Sequence, residues 1–299
     1  MRAGASSYLP TFVVFAVGTL WGLYWIPVRA LAAEGVAGAW GTLLICLCAV
    51  LALLPFAIAR RAAFAAVDLR AGAGSFLGGA AFALYSIGFV FDDVAIIALL
   101  FFLTPVWSTL IGKYILGWHT PFLRICAIVV GVLGLAIMLG ADGTVPVPRG
   151  LGEWMALASG FFWAVSSVVL RTRPAAPPIL AAFLFALGAV ACAAVISPLT
   201  GAVQTPDFDG TIIPAALIAM AGGGLWWALS MTLLLWAVPQ LDPARVGILL
   251  MAEVLVGAAT AAWLAGEHLG AFEIIGGGLV LLAGLLEVWP VSRRVVTRP

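Results

Sequence analysis

Glu253 lies near the middle of an apolar run from Pro243 to Ala265. A charged side chain at the centre of a bilayer costs roughly 2.5 to 3.5 kcal/mol on insertion scales, so such a carboxylate turns toward protein or water rather than lipid. Three roles are open to it: binding a substrate ammonium, carrying a coupling proton, or completing a structural hydrogen-bond network. Its helical face continues through Gly257 and Thr260. Arg245 stands about 12 Å back along the same helix, too far for a direct pair within it.

Aromatic residues surround this signal. The chain has 12 tryptophans. Trp40, Trp118, Trp154, Trp236, Trp263 and Trp289 fall near the ends of apolar runs, where an amphipathic ring suits the headgroup layer. Trp21, Trp107, Trp163, Trp226 and Trp227 fall near run centres, and Trp25 is intermediate. An indole N–H wants an acceptor and hydrocarbon offers none, so these rings are expected to face protein or an aqueous cavity. Core packing is the plainer account of any one of them alone.

Residues three, four and seven apart share a helical face, which gives the central rings polar neighbours. Trp21, Tyr24 and Trp25 form one stripe; Phe82, Tyr85, Ser86 and Phe89 form a second. Phe101, Thr104 and Ser108 form a third beside Trp107, with Pro105 freeing the Phe101 carbonyl to bind a donor or bend the helix. Trp163 lies with Ser166 and Ser167, and Trp226 and Trp227 lie with Ser230. With Glu253 these describe an amphipathic substrate site: aromatic faces for an apolar ring or a cation, hydroxyls for orientation.

Catalysis finds little support. HExxH, GxSxG and P-loop patterns are absent from the sequence. Cys46, Cys48, Cys126 and Cys192 lie inside apolar runs without metal-site spacing, and read as small core residues. His119 and His268 sit at loop ends expected on opposite membrane faces, where they cannot share a metal. No catalytic residue, metal or cofactor is expected.

The elements that must position these residues are set by composition. With 64% hydrophobic residues, 9% charged and a mean hydropathy of +1.19, the chain belongs in lipid. A net charge of +1 gives no electrostatic footprint for nucleic acid. Apolar runs of about 20 residues, bounded by charge, Pro or Gly, mark membrane helices. Ten are expected: Thr11 to Leu31, Trp40 to Ile58, Gly72 to Phe91, Val94 to Leu116, Pro121 to Leu139, Trp154 to Leu170, Pro178 to Leu199, Ile212 to Val238, Pro243 to Ala265 and Ala271 to Val288. The last is the weakest, since Glu273 and Glu287 leave it a short uncharged middle. The first apolar run is long enough to stay in the membrane as a span, not a cleaved signal.

Basic residues accumulate in cytoplasmic loops. Placing the N-terminus inside puts all but Arg29 and Arg149 of the 14 Lys and Arg on the cytoplasmic side, while Glu34, Asp92, Asp93, Asp142, Asp207 and Asp209 fall outside. Both termini are therefore expected in the cytoplasm.

A constant offset of 149 carries Asp93, Ala95 and Gly117 onto Asp242, Ala244 and Gly266, and an offset of 142 carries Trp21 and Arg29 onto Trp163 and Arg171. The halves run from 11 to 141 and from 150 to 289. Five spans per half is odd, so matching positions face opposite sides of the membrane. The fold class expected is an all-α integral membrane protein with ten transmembrane helices arranged as two inverted five-helix repeats.

The segments TLWGLYWIPVRAL, LLFFLTPVW, LLMAEVLVGAA and LAGEHLG within this layout resemble the drug/metabolite transporter superfamily, and most nearly its EamA family. The abundance of Trp and the form of the first helix are similar to the YddG-type aromatic amino acid exporters. One departure is Val254 after Glu253, where many relatives carry Pro. The resemblance implies a bacterial inner (plasma) membrane location and export of amino acids, aromatic ones favoured, or related small metabolites. A multidrug exporter of lipophilic cations is the alternative. The inverted repeat and the lack of a charged ring favour a transporter over a channel. The expected partners are a small-molecule substrate and the lipid bilayer. Gly131, Gly134, Gly276, Gly277 and Gly284 in helices five and ten suit scaffold or homodimer packing.

Overall fold

The computed structural model describes residues 8–36, 38–117, 122–140, 147–173, 176–200, 212–241 and 243–288. Trp118, His119, Asp142, Asp207, Asp209, Asp242 and Trp289 lie outside the described residues, as do Arg2 and the basic residues after 290. Nine helices of the described residues are long and apolar enough to cross a bilayer. They are α1 (Tyr8–Ala33), α2 (Trp40–Ala59), α3 (Leu69–Phe91), α4 (Val94–Tyr114), α5 (Phe122–Leu139), α6 (Leu151–Arg171), α7 (Pro178–Leu199), α8 (Ile213–Gln240) and α9 (Arg245–Ala265). A further apolar helix, α10 (Ala271–Val288), carries Glu273 in its first turn, which shortens its uncharged stretch as the sequence foretold. The described residues contain no strand. This is the architecture of an α-helical, multi-pass membrane protein, because helices satisfy their own backbone where no water can.

Large apolar side chains such as Leu51, Phe122, Leu225, Leu255 and Ile274 are exposed along these helices. Lipid is the solvent for that surface. Trp154, Trp236 and Trp263 are exposed near helix ends, as interfacial rings should be.

Two helices are broken at mid-length. In α1 the helical pattern lapses at Leu23 and Tyr24, because Pro27 has no amide hydrogen to give the Leu23 carbonyl. The Ile26 amide donates to that carbonyl instead, at 3.0 Å, in a tightened turn. In α4 the lapse falls at Phe102 and Leu103, before Pro105. The Phe101 carbonyl that Pro105 releases accepts from the Thr104 hydroxyl at 2.6 Å. Helix α8 widens into a π-helical stretch over Ala221–Ala228, around its three consecutive glycines. Helices α4 and α9 are followed by glycines with left-handed backbone, Gly117 (φ 65) and Gly266 (φ 69), a conformation that suits glycine alone.

Helix α3 is the most enclosed span, held between α6 and α7. Helix α8 correspondingly lies against α1 and α2, α1 packs on α9, α4 packs on α6, and α2 meets α7. Close approach comes from glycine. A methyl carbon at Gly134 would lie 2.6 Å from the Gly276 carbonyl oxygen, and one at Gly276 would lie 2.5 Å from that of Gly134. Thus the small-residue faces of α5 and α10 meet each other within one chain, with Gly131 against Val106 and Ala283 and Gly277 against Leu99.

Candidate functional site

Between the breaks in α1 and α4 and the middle of α9 lies a cavity of about 190 Å³. Its wall contains Trp21, Phe82, Tyr85, Phe101, Phe102 and Trp163, with Thr104, Pro105, Met231, Leu234, Gly247 and Leu250, and Glu253 is its charged residue. Three devices place these groups. Pro105 breaks α4 so that Phe101 and Thr104 stand at the wall together. On α3, Phe82 and Tyr85 are one turn apart and share a face. On α9, the same spacing sets Leu250 and Glu253 together.

The Tyr85 hydroxyl donates to Glu253 Oε1 at 2.9 Å. No described lysine or arginine pairs with this carboxylate, and no basic residue stands in the cavity wall. The rings are interlocked. Tyr85 contacts Phe101 with centroids 4.7 Å apart, Phe101 contacts Trp163 at 5.9 Å, and Trp21 meets Phe82 edge-on at 5.2 Å. Such pairs hold each other's orientation and add to burial. The result is a largely apolar hollow with a single anionic group, able to receive an apolar or aromatic body that carries a cation.

Of the residues expected at a substrate site, the structure brings Trp21, Phe82, Tyr85, Phe101, Thr104, Trp163 and Glu253 to one wall. The other ten lie elsewhere. Tyr24 is fully buried behind Trp21 and Phe82. Trp25 donates its indole N–H to Thr260 at 3.1 Å, away from the cavity. Ser86 is spent on a buried 2.8 Å bond with Thr42, Ser166 on the Gly74 carbonyl at 2.8 Å, and Ser230 on the Trp227 carbonyl at 3.3 Å. Trp227 is fully buried against Phe82, Trp226 meets Tyr24 edge-on, and Trp107 packs on Phe161. Ser108 and Ser167 are half-buried off the wall.

The central rings face protein or the cavity, as expected: Trp21 and Trp163 line it, Trp227 is fully buried, and Trp107 and Trp226 pack on the core. A buried indole N–H does not always find an acceptor, however. The nitrogens of Trp21, Trp107, Trp226 and Trp227 are buried without a hydrogen-bond partner. Their rings are held by aromatic packing.

Phe102, Met231, Leu234, Gly247 and Leu250 line the cavity without having stood out in the sequence. Leu250 was reachable by stepping back one helical turn from Glu253. The leucines and methionine carry no signal that separates a cavity wall from lipid contact.

The far end of the bundle carries a second polar cluster. Arg29, at the end of α1, pairs with Glu267 at 2.7 Å and donates to the carbonyls of Phe89 and Asp92 at 2.9 and 3.1 Å. Glu267 also accepts from the Val94 amide at 3.0 Å, satisfying an orphan donor at the start of α4. The Asp92 carboxylate accepts from the Glu153 amide at 3.1 Å, in the first turn of α6.

No family model matches this chain, and no curated protein does. Among solved structures 16 chains match. One, described only as "Crystal structure of protein", superposes with a TM-score of 0.58 at 17% identity, covering 94% of this chain and 98% of its own. At that identity the match speaks for a shared fold over nearly the whole chain.

Proposed function

We propose that this protein is a secondary active or facilitative transporter that exports a small amine with an aromatic or apolar body, aromatic amino acids and related metabolites first among them. It belongs, on this reading, with the EamA-type drug/metabolite transporters of bacterial inner membranes, both termini in the cytoplasm. The observation that carries the reading is Glu253, hydrogen-bonded to Tyr85 at 2.9 Å, in a ring-lined cavity at the middle of α9. A half-buried carboxylate without a cationic partner is costly in a membrane unless it has work to do.

Alternating access needs two related halves, and the packing supports that relation. Gly18 on α1 approaches Leu249 and Leu250 on α9, and Gly160 on α6 approaches Leu100 and Phe101 on α4. Adding 142 to Gly18 and subtracting 149 from the two leucines converts one contact into the other. Likewise Gly79 meets Phe185 and Ala189, while Gly223 meets Ile45 and Ala49. Here one offset, 144, relates the glycines and another, 140, relates their partners. The Gly134 and Gly276 contact is its own counterpart, and Gly117 and Gly266 share a left-handed backbone 149 positions apart. These exchanges are what a two-fold axis relating residues 11–141 to 150–289 would produce.

A second reading, export of lipophilic cations, is favoured by one feature. The wall has no basic side chain, so the carboxylate of a zwitterion meets no opposite charge there. Growth challenge separates the two. Cells expressing the protein should resist toxic aromatic amino-acid analogues more than vector controls do. Resistance to quaternary ammonium dyes in place of the analogues would overturn the amino-acid reading.

A further inference from the structure

We propose that the Arg29–Glu267 ion pair is a one-sided latch that holds the α9–α10 end of the path shut, leaving the cavity in communication with the opposite end. The inference rests on the transporter reading above.

The latch spans separate elements. Arg29 ends α1 and reaches the last turn of α3 through the Phe89 and Asp92 carbonyls, while Glu267 lies beyond α9 and holds the first amide of α4. Beneath it, Arg29 rests on the Trp25 ring at 5.4 Å, and Trp25 is tied to Thr260 at 3.1 Å. Trp25 is only 6% exposed, and the Glu267 side chain only 8%. Glu267, Arg29, Trp25 and Thr260 are thus joined in one connected set, about two helical turns beyond Glu253 on α9 at Thr260.

The cavity runs the other way. Its wall extends from Glu253 back to Gly247, about 9 Å toward the start of α9. On α4 it includes Thr104 and Pro105, past the break, and on α8 it reaches Leu234. All these steps lead away from Arg29 and Glu267.

Among the described residues the opposite end shows no matching ion pair. The residue 142 positions after Arg29 is Arg171, which is exposed and forms no ion pair among the described residues. The residue 149 positions before Glu267 is Trp118, outside the described residues, and tryptophan cannot supply a carboxylate. One end is thus held by charge, whereas the position matching Glu267 at the other end carries no carboxylate. Breaking the latch biases the equilibrium between the two openings, because a group that contacts one state alone stabilises that state alone.

The test uses the full chain in membranes with Cys46, Cys48, Cys126 and Cys192 replaced by Ala. Thr260→Cys reports the latched end, Leu250→Cys the cavity, and a membrane-impermeant maleimide is applied from each face separately. Adding Glu267→Gln, or Arg29→Gln, should raise Thr260→Cys labelling from the Glu267 face by about tenfold and lower Leu250→Cys labelling from the other face. The Arg29→Gln, Glu267→Gln double variant should raise labelling by less than the product of the two singles, because the ion pair is lost in each of them; a full product would overturn the pairing. Unchanged labelling at both positions, or an equal rise at both, would overturn the proposal. Labelling needs no substrate, so a failure to transport any amine would count against the transporter reading alone.

Discussion

Tyr85 donates to Oε1 of Glu253 and no other described group bonds to this carboxylate, so on the proposed function its second oxygen is the one that would meet a substrate ammonium. The hydroxyl fixes the carboxylate's rotamer, and a hydrogen bond to a charged group contributes about 1.5 to 3 kcal/mol. Glu253→Gln keeps the shape and removes the charge, so substrate-dependent transport should fall at least about tenfold across a pH series. Unchanged transport would remove both the substrate and the proton role. Tyr85→Phe should raise KM several-fold with a smaller effect on maximal rate, as uniform binding is weakened. At this scale Glu253 was legible in the sequence because a mid-span carboxylate is so costly. Phe82 and Tyr85 on α3 were legible because unbroken helical spacing holds there, whereas Phe101 and Thr104 on α4 reach the wall across the break that Pro105 makes. Trp226 and Trp227 were not legible, since they lie in a π-helical stretch, where 3.6-residue spacing fails to predict the shared face. The serines misled for another reason: a hydroxyl in an apolar bundle bonds the nearest carbonyl, as Ser166 and Ser230 do, and need not face a cavity.

Several helix crossings here are made at glycine, among them Gly79 against α7 and Gly223 against α2. A methyl group at Gly79 would collide with the Phe185 carbonyl, and one at Gly223 with that of Ile45. Backbone cannot step aside as a side-chain tip can, so each Gly→Ala change should destabilise by about 1 to 3 kcal/mol or more. Gly278 has nothing within 4 Å, and Gly278→Ala should leave the unfolding midpoint in detergent unchanged or slightly raised, since Ala is the better helix former. Thermal unfolding of the three variants checks the ranking; equal midpoints would deny that these crossings are tight. Span existence and order were legible from hydropathy, and the break at Pro105 from its missing amide. The break at Leu23 follows from Pro27 by the same chemistry. The widening of α8 was hidden, because three glycines in an apolar run mark a weak point without saying which distortion follows.

At the scale of the molecule, the glycine contacts come in pairs across residues 11–141 and 150–289, Gly18 on Leu249 and Leu250 matched by Gly160 on Leu100 and Phe101, as the proposed repeat requires. The offsets differ between helices because connections differ in length, which blurs a single-offset comparison and leaves the contacts clearer than the sequence. If the halves are inverted, Asp93 and Asp242 lie on opposite faces. Asp93→Cys and Asp242→Cys in intact cells should then differ, with only the former reacting with an impermeant maleimide. Reaction of both would place the matching positions on one face and remove the basis for alternating access.

The central claim is that one site, built on Glu253, is presented to the two faces in turn. Counterflow tests it most directly. Liposomes containing the purified protein are loaded with unlabelled substrate and placed in trace labelled tryptophan or labelled phenethylamine, each matched to its own load. For at least one of the two, label should rise above its equilibrium level and then decline, and Glu253→Gln should abolish the overshoot. Monotonic equilibration of both probes, or an overshoot that survives Glu253→Gln, would contradict the account.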